Sequence, residues 1–155
     1  MINMIWAMDK NNLIGKNNKL PWRHKEDLKF FWETVSNKTV LMGHNTYLSL
    51  KAYFPHKQLP FEKIYVASLF KYNYEDATQV WNLIPFIKDY QGELFILGGK
   101  SIYEQAFDYA DKLYISIIDG IYHGDTYLKA FDYSQFTVER EIFHDGLLIK
   151  IMVRK

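Results

Sequence analysis

The sequence contains no cysteine, which excludes disulfide cross-links, thiolate nucleophiles and cysteine-type zinc sites together. That absence also fits a reducing compartment and a cytoplasmic location. Arginine is scarce: it stands only at Arg23, Arg140 and Arg154, and lysine carries the remaining positive charge. Formal net charge is +1, with no basic block and no acidic tail, which argues against a nucleic-acid partner. No apolar run approaches the ~18 residues of a membrane span. The N-terminal MINMIWAMDK has neither the basic region nor the long apolar stretch of a signal peptide. The histidines (His24, His44, His56, His123 and His144) show no HExxH or H-x3-H spacing, so no metal site is expected. No GxSxG elbow is present for a serine nucleophile.

What is present is a chain of 155 residues, 48% hydrophobic and 17% aromatic, enough for one well-packed domain spanning residues 1–155. No repeat, low-complexity tract or Gly/Ser linker divides it. Apolar, β-prone runs recur at Ile2–Met8, Thr39–Met42, Lys63–Ala67, Leu94–Leu97, Lys112–Ile118, Phe136–Ile142 and Leu147–Val153. Helical patterns fall between them at Lys25–Val35, Asn45–Leu50, Leu83–Tyr90 and Ser101–Tyr109. This alternation predicts an α/β fold with a largely parallel sheet, and the last two runs, joined at His144-Asp145-Gly146, predict a β-hairpin. The polar segment from Asp9 to Arg23 is long for a connection inside a compact domain; it is either a surface crossing or a functional loop.

Two adjacent acids, Glu26 and Asp27, open the first predicted helix. Leu28, Phe31, Trp32 and Val35 form its apolar stripe. At about 100° per residue, Glu26 lies opposite that stripe and Asp27 at its boundary. Glu26 is thus expected in solvent, where it favours the helix dipole. Asp27 is either a second such acid or a partly buried carboxylate that binds a ligand's paired N–H donors. Helix geometry alone leaves both open.

Two strand-to-helix turns carry glycine: TVLMGHNTYLSL at Gly43 and ELFILGGKSIYEQAF at Gly98-Gly99. Both fall at C-terminal strand ends and open on one edge of a parallel sheet, where ligands bind. Glycine allows close approach, and helix starts offer free N–H groups to phosphate. Two such starts suggest a ligand with more than one phosphate, such as a dinucleotide.

Taken together, IWAMDKNNLIGKNNKLPW, EDLKFF, VLMGHNTYLSL, ILGGKSIYEQ, KLYISIID and GDTY resemble the dihydrofolate reductase family nearly end to end. The resemblance implies a central, mostly parallel eight-stranded sheet with an antiparallel C-terminal strand and flanking helices. It implies an NADPH-dependent oxidoreductase that converts 7,8-dihydrofolate to tetrahydrofolate; a monomer is the default expectation. Asp27 matches the family's active-site carboxylate, with Trp22 and Ser116 beside it as catalytic positions. Ile5, Trp6, Ala7, Asp27, Leu28, Phe31, Thr46, Leu50, Leu97 and Ser116 match positions lining the substrate pocket. Ala7, Ile14, Gly15, Asn18 and Leu20 match those around nicotinamide, and the segment Asp9–Arg23 becomes a lid. Gly43, His44, Asn45 and Thr46 match the first phosphate-binding helix start. Gly98, Gly99, Lys100, Ser101, Ile102 and Tyr103 match the second, where the family's Gly-Gly bond is cis.

Two departures stand out. The family's Leu-Pro-x-Arg segment, whose arginine clamps the substrate's glutamate tail, is replaced by KAYFPHKQLPFEKIYVAS, with Phe61 or Glu62 near the expected place. Lys57 or Lys63 is the expected substitute, without arginine's bidentate fork. The basic residue usual after the first phosphate glycine is His44, which with Ser68 and Lys71 is expected to hold the 2′-phosphate of NADPH. The altered tail region leaves a second reading, a related pterin or pyrimidine reductase, and a third is a non-catalytic NADPH-binding relic.

Overall fold

The computed structural model describes residues 1–155. Its elements are β1 (Ile2–Met8), β2 (Leu13–Gly15), α1 (Lys25–Val35), β3 (Thr39–Gly43), α2 (His44–Ala52), β4 (Lys63–Ala67) and β5 (Thr78–Val80). There follow α3 (Leu83–Asp89), β6 (Leu94–Ile96), α4 (Lys100–Ala106), β7 (Lys112–Ile118), β8 (Thr126–Tyr127), β9 (Phe136–His144) and β10 (Leu147–Arg154). Eight strands form one sheet in the order β5-β4-β3-β6-β1-β7-β10-β9. The pairings from β5 through β7 are parallel, and β10 runs antiparallel to both neighbours. The α/β architecture expected from the alternation is therefore present, including the C-terminal hairpin.

Alternation along the central strand explains how the sheet is covered. Ile2, Met4, Trp6 and Met8 join one apolar cluster with Leu83 and Ile87 of α3 and Tyr103 and Ala106 of α4. Ile5 joins a second cluster with Val35 of α1, Tyr47 of α2 and Phe95. Helices thus pack on both faces, which suits the nearly continuous burial of β1.

Three short strands escape the sequence pattern: β2, β5 and β8. With two or three residues each, they are too short to display a period. The helical run predicted for Ser101–Tyr109 ends as α-helix at Ala106 and tightens into a 3-10 turn over Phe107–Tyr109.

The apolar stripe of α1 also needs correction. Leu28 is 43% exposed, while Phe30, outside the stripe, is half-buried against Tyr114. The cause lies in what α1 faces: Leu28 borders an open cleft rather than the core.

Candidate active site

Asp27 is the inward acid. It is 5% exposed, buried at the start of α1, whereas Glu26 is only partly covered. Burial pushes the Asp27 carboxyl up from its ordinary range. The Ser116 hydroxyl, the His24 charge and the Trp22 indole N–H pull it back, in that order. Ser116 reaches this place from β7, opposite Ala7 of β1. The His24 Nε2 shares a hydrogen bond of 2.8 Å with the carbonyl oxygen of Asp145, fastening the entry of α1 to the C-terminal hairpin. Trp22 is buried against Tyr122, and its Nε1 lies close enough to act on the Asp27 carboxyl without closing a hydrogen bond to any group of the chain.

Asp27 and Ser116 lie in the wall of a cleft of about 920 Å³. Ile5, Trp6 and Ala7 enter it from β1, Leu97 from the end of β6, and Leu28, Phe31 and Leu50 from the two helices flanking it. Gly43, His44, Asn45 and Thr46 line it at the start of α2, with Ser68 after β4. Gly99, Lys100, Ser101, Ile102 and Tyr103 line it at the start of α4. Ile14, Gly15, Asn18 and Leu20 close it from the Asp9–Arg23 segment. Of the residues matched to the family's site, Trp22 and Gly98 do not line this surface, and neither do the expected substitutes Lys57, Lys63 and Lys71.

The two helix starts meet because glycine removes the side chains between them. The Gly43 N–H donates to the Gly98 carbonyl at 2.8 Å. A Cβ on Gly43 would sit 3.4 Å from Ile102 Cγ1, and one on Gly99 would sit 3.4 Å from Thr46 Oγ1. Neither helix has a side-chain cap, so the first-turn N–H groups remain available to a ligand. The Gly98-Gly99 peptide is cis, as the resemblance implied. Behind it, the Tyr103 hydroxyl donates to the Ile5 carbonyl at 2.6 Å and ties α4 to β1.

The Asp9–Arg23 segment is strapped down. Asp9, only 1% exposed, accepts N–H bonds from Asn11 (2.8 Å), Leu13 (3.0 Å) and Tyr122 (2.8 Å). β2 pairs with β8, and the Asn17 N–H donates to Asp125 at 2.9 Å. The Ser49 hydroxyl of α2 donates to the Asn18 carbonyl at 2.8 Å, so the segment reaches across to the opposite helix. Sequence reasoning missed Asp9 as the anchor, because its partners are backbone groups that no motif displays.

His44 does not stand free. Its ring stacks on Tyr72, with centroids 3.7 Å apart, and its Nδ1 lies 2.8 Å from the Tyr74 hydroxyl. Tyr74 packs edge-on against Tyr47, whose hydroxyl donates to Asp76, and Lys51 pairs with Asp76 at 2.8 Å. The expectation for Lys71 does not hold: Phe70 and Tyr72 line the cleft beside Ser68, and Lys71 does not. Nor do Lys57 and Lys63 reach the cleft. Lys63 instead lies over the Tyr65 ring at 4.9 Å. Further lining residues that the sequence did not single out are Lys19, Phe30, Trp32, Ser49, Tyr53, Phe54 and Thr126.

A buried acid, an apolar cleft and two glycine-linked helix starts at C-terminal strand ends define an α/β protein built to hold a phosphate-bearing cofactor against a second ligand. Comparison with known proteins sharpens that class. The family model for dihydrofolate reductase matches residues 1–146. The dihydrofolate reductase of Mycoplasma pneumoniae is 38% identical over 152 residues, covering 92% of this chain and 91% of that protein. That of Bacillus subtilis is 35% identical over 138 residues, covering 88% and 80%. Among solved structures, the dihydrofolate reductase from Enterococcus faecalis complexed with NADP(H) and RAB-propyl matches with a TM-score of 0.84. It is 23% identical, with 100% of this chain and 96% of that chain covered, and it shares the fold. The chain belongs to the dihydrofolate reductase family.

Proposed function

We infer that this protein is an NADPH-dependent oxidoreductase that reduces 7,8-dihydrofolate to 5,6,7,8-tetrahydrofolate. The observation that carries this reading is Asp27, a carboxylate buried in the wall of a cleft whose other end is two uncapped helix starts. NADPH, when bound, supplies the hydride that reaches C6 of the pterin. The chain's residues fit such a cofactor: Gly43, Asn45 and Thr46 at one helix start and Gly99, Lys100, Ser101 and Ile102 at the other would hold its phosphates. His44 and Ser68 would receive the 2′-phosphate. Ala7, Ile14, Gly15, Asn18 and Leu20 would enclose the nicotinamide and exclude water.

Asp27 binds the pterin's 2-amino group and adjoining ring N–H, a pair of donors that one carboxylate spans. Its negative charge favours the N5-protonated pterin, and the proton reaches N5 through water, since the carboxylate grips the far side of the ring. Ser116 and Trp22 hold water beside Asp27; the buried, unpartnered Trp22 Nε1 is the donor that such a water satisfies. Ile5, Trp6, Leu28, Phe31, Leu50 and Leu97 give the flat ring system an apolar bed. Balanced charge argues against a nucleic-acid partner, absent cysteine fits a cytoplasmic location, and a single chain holds the whole cleft, so a monomer suffices. No helix is long and apolar enough to cross a membrane.

The test is spectrophotometric. NADPH absorbance should fall by one equivalent per dihydrofolate added, and no fall with purified protein would overturn the reading.

A further inference from the structure

Dihydrofolate is a pterin joined to an aminobenzoyl ring and then to a glutamate that carries two carboxylates. The basic residues lining the cleft are Lys19, His44 and Lys100. Lys19 belongs to the Asp9–Arg23 segment, and His44 and Lys100 open α2 and α4, so all three stand on the cofactor side.

Away from Asp27, α1 carries the wall outward through Leu28, Phe31 and Trp32, and the end of α2 answers with Leu50, Tyr53 and Phe54. Trp32 joins the two sides, with ring centroids 5.0 Å from Phe31 and 5.4 Å from Phe54, both edge-on. Behind it, Phe61 stacks on Trp32 at 5.9 Å. Phe61 is held there by its own segment: the Asn37 N–H donates to the Pro60 carbonyl at 2.8 Å, and the Glu62 N–H to the Lys38 carbonyl at 3.0 Å. Phe61 thereby backs Trp32, which stands in the cleft wall with no cation beside it, and Glu62 is left in solvent. The other cations of this side are paired or stand outside the cleft wall. Lys51 is paired with Asp76, Lys63 lies over Tyr65, and Lys29, His56 and Lys57 are exposed outside the cleft wall.

We propose that substrate recognition ends at the aminobenzoyl ring: an aromatic collar of Phe31, Trp32 and Phe54, with Phe61 stacked behind Trp32, replaces a carboxylate clamp, so dihydropterins lacking the glutamate are substrates on nearly equal terms. This rests on the reductase reading above. A carboxylate pressed against such a collar loses hydration with no charge to replace it. The glutamate tail accordingly stays in water, and the aromatic contacts supply the binding.

The experiment compares 7,8-dihydrofolate with 7,8-dihydropteroyl N-methylamide, which keeps the amide and removes both tail carboxylates. kcat/KM for the two should agree within about threefold, whereas a clamped carboxylate would separate them by about tenfold or more. KM for dihydrofolate should also stay flat from about 50 to 500 mM salt, a range that screens exposed charge pairs. In parallel, tryptophan fluorescence gives Kd for folate and for pteroyl N-methylamide, expected within the same factor. A tenfold or larger preference for the glutamate-bearing compounds that shrinks with salt overturns the proposal and leaves the reductase reading standing. Absence of turnover with both dihydro compounds refutes the reductase reading, and the ratio of the two Kd values then decides the tail by itself.

Discussion

Replacing Asp27 with asparagine separates what the carboxylate does for catalysis from what it costs the fold. Asp27 is 5% exposed, and burial raises its pKa above the ordinary 3.8 despite the opposing pull of Ser116, His24 and Trp22. The folded chain therefore holds this proton more tightly than the unfolded chain does. Stability from this group is fully present below the unfolded value of 3.8 and declines as pH rises through the raised folded value. Above the unfolded value the buried carboxyl is thus a net burden on the fold. Each tenfold weakening of acidity on burial costs about 1.4 kcal/mol, against roughly 0.3–1 kcal/mol returned by the helix N-terminus. Asp27→Asn should melt higher than wild type at neutral pH, and the difference should close below about pH 3.8. The same substitution removes the acceptor for the pterin's paired donors and should lower kcat/KM by roughly 10²–10⁴-fold. Thermal denaturation across pH and NADPH oxidation with dihydrofolate measure the two effects. A lower melting temperature at neutral pH, or turnover left intact, would refute the reasoning.

Asp9→Ala leaves three backbone N–H groups without their acceptor. It should cost about 2–4 kcal/mol, a fall of roughly 4–16 °C in Tm; a loss under 1 °C would show that Asp9 is no anchor. Gly124→Ala would put a Cβ 2.6 Å from both the Gly15 carbonyl oxygen and Leu13 Cδ1. The strain should cost about 1–3 kcal/mol and loosen β2 from β8, raising KM for NADPH; hydrogen exchange at Gly15 no faster than wild type would contradict this. His44→Arg adds a permanent charge beside Ser68 and should improve NADPH over NADH by roughly tenfold. An unchanged ratio of the two kcat/KM values would mean that the 2′-phosphate lies elsewhere.

Much of this was legible because it depends on local pattern. α1 spans Lys25–Val35 as its stripe implied; helix geometry put Asp27 at the stripe's boundary and left its role open, and the family resemblance singled it out as the inward acid. Glycines marked both helix starts. What escaped depends on partners distant in sequence. Leu28 fits an apolar stripe, yet the stripe's edge opens onto a cleft, and only tertiary packing reveals that. β2 and β8 pair across more than a hundred residues and show no period of their own. The substitution of a clamp by Lys57 or Lys63 followed from proximity along the chain. Trp32 stands in the cleft wall instead, backed by Phe61, and their stacking joins a helix to a loop that no spacing rule connects. The engagement of His44 by Tyr72 and Tyr74 was hidden for the same reason.

The most direct test of hydride transfer at this site uses NADPH carrying deuterium at C4 of the nicotinamide, with purified protein and 7,8-dihydrofolate. The account predicts tetrahydrofolate labelled at C6, formed in step with NADPH loss and suppressed in Asp27→Asn. Product without deuterium at C6, or labelled product formed equally well by the variant, would contradict it.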